Sequence, residues 1–175
     1  MGNDILRDAR QYLDLGKSII PLIKKQNEKG VDKFTPFNSW KIYQEKLTTI
    51  EQWKSWSANQ RPGELGIGIV TGKLSNLTVM DIDQKNGVDG WASLAQLEAI
   101  FGKLPPTIQV KTPHGMHLYF SYIEGSRNSA GVIGAGIDIR SEGGFVVAPP
   151  TPGYEYATST DFTSTGEEED FELPY

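Results

Sequence analysis

Leu77-Thr78-Val79-Met80-Asp81-Ile82-Asp83 is the stretch on which the fold turns. Its alternation predicts a β-strand and makes it the clearest one in the chain. Val79, Asp81 and Asp83 then share one face, while Met80 and Ile82 take the other. Two carboxylates at i and i+2 stand roughly 7 Å apart along a strand. That spacing lets both reach one or two divalent cations, and hard ions such as Mg²⁺ or Mn²⁺ suit carboxylate oxygens. A cation also offsets the repulsion between two acids held inside a sheet. Read by itself, Asp-x-Asp is equally a strand end with two solvated aspartates.

The flanks place this strand in a larger pattern. Asn3 or Asp4 is positioned to cap a first helix to about Leu15, with Ile5, Ala9, Tyr12 and Leu13 as its apolar stripe and Gly16 as its stop. Lys17–Ile23 reads as a short strand, and residues 24–40 as polar and irregular. Thr48 and Glu51 have the spacing of a capping box, opening a helix through Trp53 and Trp56. Leu65–Val70 is a strand interrupted by glycine. A helix from about Asp89 to Phe101 puts Trp91, Leu94, Leu97 and Phe101 on one face, with Gly102 as its stop.

Beyond it, Thr107–Thr112 and His117–Tyr122 read as strands joined by Pro113-His114-Gly115-Met116. Gly136–Arg140 and Gly144–Ala148 read as a second pair, joined through Ser141-Glu142-Gly143-Gly144. Pro149-Pro150 ends the sheet, because proline cannot donate to a ladder. About three helices and six or more strands, helices early and hairpins late, make an α+β fold.

Composition bounds the rest. The 175 residues suffice for one domain, and 38% hydrophobic with 22% charged residues is ordinary for a globular chain. No stretch approaches the roughly 20 apolar residues of a membrane span, and the N-terminus lacks a signal pattern, so a cytoplasmic location is the default expectation. The absence of cysteine excludes disulfides, thiol catalysis, zinc knuckles and iron–sulfur clusters.

A net charge of -5 and a pI near 5.1 count at first sight against nucleic acid. The charge is unevenly spread, however. Seven acids and no Lys or Arg lie between Tyr154 and Tyr175, leaving 17 basic and 15 acidic side chains before them. The expected division is therefore a domain over 1–157 and an acidic tail or linker over 158–175, disordered for want of large apolar groups. In the N-terminal third, Lys24, Lys25, Lys29, Lys33, Lys41 and Lys46 form either a nucleic-acid backbone surface or a solvated face.

Two further strands carry polar residues on one face. His117 shares a face with Tyr119, just after the turn Thr112-Pro113-His114-Gly115, whose backbone N–H groups suit phosphate oxygens. Asp138 shares a face with Arg140, ahead of Ser141. A third acid would complete a metal site, and the planar fork of arginine suits phosphate. The plainer readings are a structural histidine and an intrastrand ion pair. In sequence order the chain presents an acid pair, a histidine and a third acid, each on a strand. Three carboxylates with two cations suit in-line phosphoryl displacement.

These elements resemble the primase–polymerase domain of the archaeo-eukaryotic primase superfamily, of the bifunctional DNA primase/polymerase N-terminal type. The matching motifs are Val79–Asp83, Thr112–Phe120 and Gly136–Pro150. Flanking likenesses are Gly16–Pro21, Lys33 with Trp40, and Gly66–Gly72, so the resemblance covers about residues 4–156. It implies an RRM-like antiparallel or mixed sheet with helices, a smaller α/β subdomain, and an active site in the cleft between them.

The resemblance further implies that Asp81, Asp83 and Asp138 are catalytic and hold Mg²⁺ or Mn²⁺. His117 would contact the phosphates of the incoming nucleotide, with Thr112, Gly115, Arg140 and Ser141 in the nucleotide pocket. Where many relatives have Ser-Gly-Gly before the histidine, this chain has His114-Gly115-Met116. The implied activity is DNA-directed addition of dNTPs or NTPs to a primer 3′-hydroxyl, in phage, plasmid or CRISPR-associated replication. DNA template and primer would be partners, with a helicase fused or separate, and no membrane. Two alternatives are an inactive nucleic-acid- or nucleotide-binding module of a replication protein and a metal-dependent nuclease.

Overall fold

Strand pairing around the Asp-x-Asp stretch organises the molecule. The computed structural model describes residues 5–158 except 27, 29, 38, 59, 62 and 86. The cap expected at Asn3 or Asp4, and the acidic tail beyond Thr158, lie outside the described residues. In chain order the elements are α1 (Ile5–Asp14), β1 (Ile19–Gln26), β2 (Asp32–Pro36), a 3₁₀ turn (Lys41–Gln44), α2 (Ile50–Ser57), β3 (Leu65–Val70), β4 (Thr78–Lys85) and β5 (Val88–Asp89). Then follow α3 (Gly90–Phe101), β6 (Ile108–Thr112), β7 (Gly115–Phe120), β8 (Ser129–Gly134), β9 (Ile137–Arg140), β10 (Phe145–Ala148) and β11 (Glu155–Tyr156).

Two sheets result, and among the described residues every ladder between named strands is antiparallel. One runs β10-β3-β1-β2; the other runs β11-β6-β7-β4-β9-β8, with β5 paired to β4. This is the expected α+β class.

Each face of the larger sheet is packed, as the alternation of β4 requires. Val79, Val110 and Tyr119 point into a core shared with Ile67, Ile69, Val146 and Ala148 of the smaller sheet and with Ala9, Tyr12 and Trp53 of α1 and α2. Ile82, Leu118 and Ile137 point the other way, against Leu94 of α3. The outer face of the smaller sheet, with Ile20, Leu22 and Val70, is covered by Tyr43, Trp40 and Trp56.

Several local expectations are corrected. Residues 24–40 are not irregular throughout: β1 extends to Gln26 and pairs with β2. The capping box is formed by Thr49 and Gln52, one residue later than expected. Thr48 is excluded because it is buried and its hydroxyl donates to the Ile19 carbonyl (2.8 Å). The turn between β6 and β7 is only Pro113-His114, with Gly115 and Met116 already in the strand. β9 and β10 do not form a hairpin: β9 pairs with β4 and β8, and β10 crosses to β3 in the smaller sheet. Gly144 makes the crossing, its carbonyl accepting from Thr71 N (3.0 Å). β8, glycine-bearing and largely exposed, carries no buried stripe to announce it.

Candidate active site

The register of three strands assembles the site. On β4, Asp81 lies opposite His117 of β7 on one side and Asp138 of β9 on the other. One row across the larger sheet therefore reads Asp138, Asp81, His117, and continues to Val110 of β6. The adjacent rows hold Asp83 beside Gly115 and Thr112, and Val79 beside Tyr119 and Arg140. All of these side chains belong to the face that Val79 and Tyr119 carry into the core. The acids thus stand where that core gives way to solvent, and Asp81, Asp83 and Asp138 are partly buried.

Charge is concentrated there. Burial first, then the neighbouring Asp83, pushes the Asp81 carboxyl up to about 6, against the pull of Arg140. A guanidinium nitrogen of Arg140 lies 2.7 Å from Asp138 and 3.9 Å from Asp81, so it bridges the two acids. Asp138 also accepts from the Gly131 N–H (3.0 Å). Lys85 approaches Asp83 at 2.5 Å.

His117 Nε2 lies 3.5 Å from Asp81, yet burial drives the imidazole down to about 4, so the ring is neutral at neutral pH. Its Nδ1 is buried with no hydrogen-bond partner.

Two tyrosines frame the histidine: Tyr119, expected on the same strand face, and Tyr154, which the sequence pattern did not single out. The Tyr119 ring lies 6.3 Å from His117 and the Tyr154 ring 5.9 Å, centroid to centroid. Burial together with Asp81 and Asp83 pushes the Tyr154 hydroxyl up to about 12. Tyr154 follows a Pro- and Gly-rich turn after β10, where no periodicity could point to it.

The remaining expected residues separate by position. Thr112 is half-buried, and its hydroxyl accepts from His114 N (3.4 Å) at the β6–β7 turn. At Gly115 a Cβ would lie 1.8 Å from the Ile82 carbonyl oxygen, so glycine lets β7 approach β4 beside Asp83. Ser141 is fully buried; its hydroxyl is shared with Thr78 (3.0 Å) and Ser126 (2.5 Å), and its N–H donates to Asn128 (2.9 Å).

Among the described residues no group of three or more His, Asp or Glu side chains is drawn close enough to hold a metal ion. The donor chemistry nevertheless fits a hard cation. Three carboxylates come from paired strands, and carboxylate oxygens are the ligands such ions take.

Fold and site together define an α+β protein with an acidic, histidine-bearing sheet face. The family model described as bifunctional DNA primase/polymerase, N-terminal, matches residues 9–168, and the chain belongs to that family. It is a primase/polymerase-type nucleic-acid domain, a type that binds DNA and nucleotides and is generally metal-dependent. A comparison with curated proteins found no match. Among the described residues no helix is long and apolar enough to cross a membrane.

Proposed function

We propose that this chain catalyses template-directed nucleotidyl transfer to a primer 3′-hydroxyl, on the sheet face that carries Asp81. The row Asp138–Asp81–His117, in register across three adjacent strands, is the observation that supports this most strongly. In the reaction the 3′-oxygen bonds to the α-phosphorus, the bond to pyrophosphate breaks, and the hydroxyl proton leaves.

Asp81, Asp83 and Asp138 would hold Mg²⁺ or Mn²⁺, which supplies Lewis acidity for the attacking and leaving oxygens. Arg140, whose guanidinium bridges Asp138 and Asp81, would offer its planar fork to phosphate oxygens. Neutral His117 donates a single ring N–H to the incoming triphosphate. Thr112 and the β6–β7 turn border the pocket. Gly115 sets the strand spacing there, and Ser141 anchors the end of β9 beneath Arg140. The domain spans 1–157, with 158–175 as an acidic tail or linker. DNA replication in a phage, plasmid or CRISPR-associated setting, with a helicase fused or separate, is the context this reading fits.

The test is primer extension on a primed DNA template with dNTPs or NTPs and Mn²⁺ or Mg²⁺, beside Asp83→Ala. Extension by the wild type and a loss of at least about 100-fold in the variant is expected. DNA binding without extension would make the chain a binding module, and shortening of the primer would make it a nuclease.

A further inference from the structure

The hairpin of β1 and β2 brings two lysines face to face. Lys25 and Lys33 are register partners across the antiparallel ladder, so their side chains leave the sheet on the same side and both are exposed. Like charges directly opposite one another destabilise a sheet. Among the described residues neither has an ion-pair partner, whereas Lys24, on the opposite face, is neutralised by Asp32 at 2.5 Å. The hairpin therefore keeps one balanced pair and one repelling pair.

The repelling pair continues the face of the smaller sheet that turns towards the larger one. Lys25 continues the face of β1 that carries Ile23, which packs against the core shared with Val79 and Tyr119. Phe34, next to Lys33, and Thr151 both stand where a Cβ on Gly66 would be (2.9 Å and 2.7 Å). Thr151 binds Ile67 N (2.8 Å), and three residues on, Tyr154 meets the His117 ring. That end of the smaller sheet is thereby tied to the segment carrying Tyr154, with Phe34 itself on the face opposite Lys33.

We infer that Lys25 and Lys33 form a docking site for backbone phosphates of the nucleic-acid strand led to the active site, an inference that rests on the proposed polymerase reading. Two adjacent unneutralised cations relieve their mutual repulsion by taking a polyanion between them. The site lies outside the acid row, which assigns it to the polynucleotide and not to the triphosphate of the incoming nucleotide.

The test measures binding of a fluorescein-labelled single-stranded oligodeoxynucleotide by anisotropy across a salt series. Thermal midpoints and nucleotide KM in primer extension are recorded for the same proteins. Lys25→Gln/Lys33→Gln is expected to weaken binding about tenfold near 0.1 M salt and to flatten the salt slope by about 1.4. Lys33→Glu, which places a carboxylate opposite Lys25, is expected to lose more affinity while its thermal midpoint stays level or rises. Lys24→Gln is expected to stay within about twofold of wild type, because its charge is already spent on Asp32.

Unchanged affinity and slope in the double variant would overturn the inference. So would a raised nucleotide KM with oligonucleotide binding intact, which would make the pair a triphosphate site. If the wild type binds the oligonucleotide through these lysines yet extends nothing, the polymerase reading fails and the docking site stands.

Discussion

Asp81 holds a carboxyl where the fold disfavours its charge. Its carboxyl is raised to about 6 by burial and by Asp83, so the folded chain holds that proton more tightly than the unfolded chain does. The corresponding stability is present below the ordinary carboxylate range near pH 4 and is lost as pH rises through about 6. Without added cation, Asp81→Asn is therefore expected to be more stable than wild type near pH 7.5, by about 1–2 kcal/mol. Urea titrations should show that advantage fading as pH falls from about 6 towards 4. Added Mn²⁺ should raise the thermal midpoint of the wild type and leave that of Asp81→Asn nearly unchanged. A variant no more stable than wild type at pH 7.5 would show that Arg140 already balances the charge. The pair of aspartates was legible in the sequence, because alternation alone puts both on one face. Their company was not: the bridge from Arg140 to both Asp138 and Asp81 depends on β9 lying beside β4.

At the scale of elements, the contact of β4 with β7 is the one on which the site depends. Gly115 lies opposite Asp83, and a methyl group there would run into the Ile82 carbonyl at 1.8 Å. Neither strand can move without disturbing packed faces on both sides, so Gly115→Ala is expected to cost about 3 kcal/mol in urea unfolding. A cost under about 1 kcal/mol would mean that the strands separate easily. The strand assignments for β3, β4, β6, β7, β9 and β10 follow from local alternation and turn residues, and α3 follows from its Asp89 cap and Gly102 stop. β2 and β8 escaped that reading because edge strands with few buried side chains lack a periodic signal. The pairing of β9 with β10 was misjudged for another reason. A short Gly-Gly connection suits a hairpin, but Val146 and Ala148 bury themselves against Ile67 and Ile69 in the other sheet. Tertiary burial outweighed the local turn.

Across the whole molecule, one threonine ties the smaller sheet to the segment that frames the site. Thr151 is buried, accepts from Ile67 N (2.8 Å), and lies three residues before Tyr154. Thr151→Val leaves that amide without its partner inside the core. It is expected to destabilise the chain by about 2 kcal/mol and to speed hydrogen exchange at Ile67. Exchange unchanged at Ile67 would show that the hydroxyl is dispensable. Net charge also changes meaning at this scale. The -5 of the full chain combines an acid-rich stretch from Tyr154 onward with a body of 17 basic and 15 acidic side chains. Within that body the acids of β4 and β9 face the core's edge, while Lys25 and Lys33 stand on the hairpin without an ion-pair partner among the described residues. The sequence by itself determined the α+β class, most strands, and which acids, histidine and arginine share a face of their strands, because each is a local property of period and turn chemistry. Only the tertiary structure decided which strands are neighbours. It thereby placed Asp138, Asp81 and His117 in one row, brought Tyr154 to the histidine, and set Lys25 against Lys33. Backbone hydrogen bonds are alike for every strand, so the choice among pairings falls to which faces can be buried together.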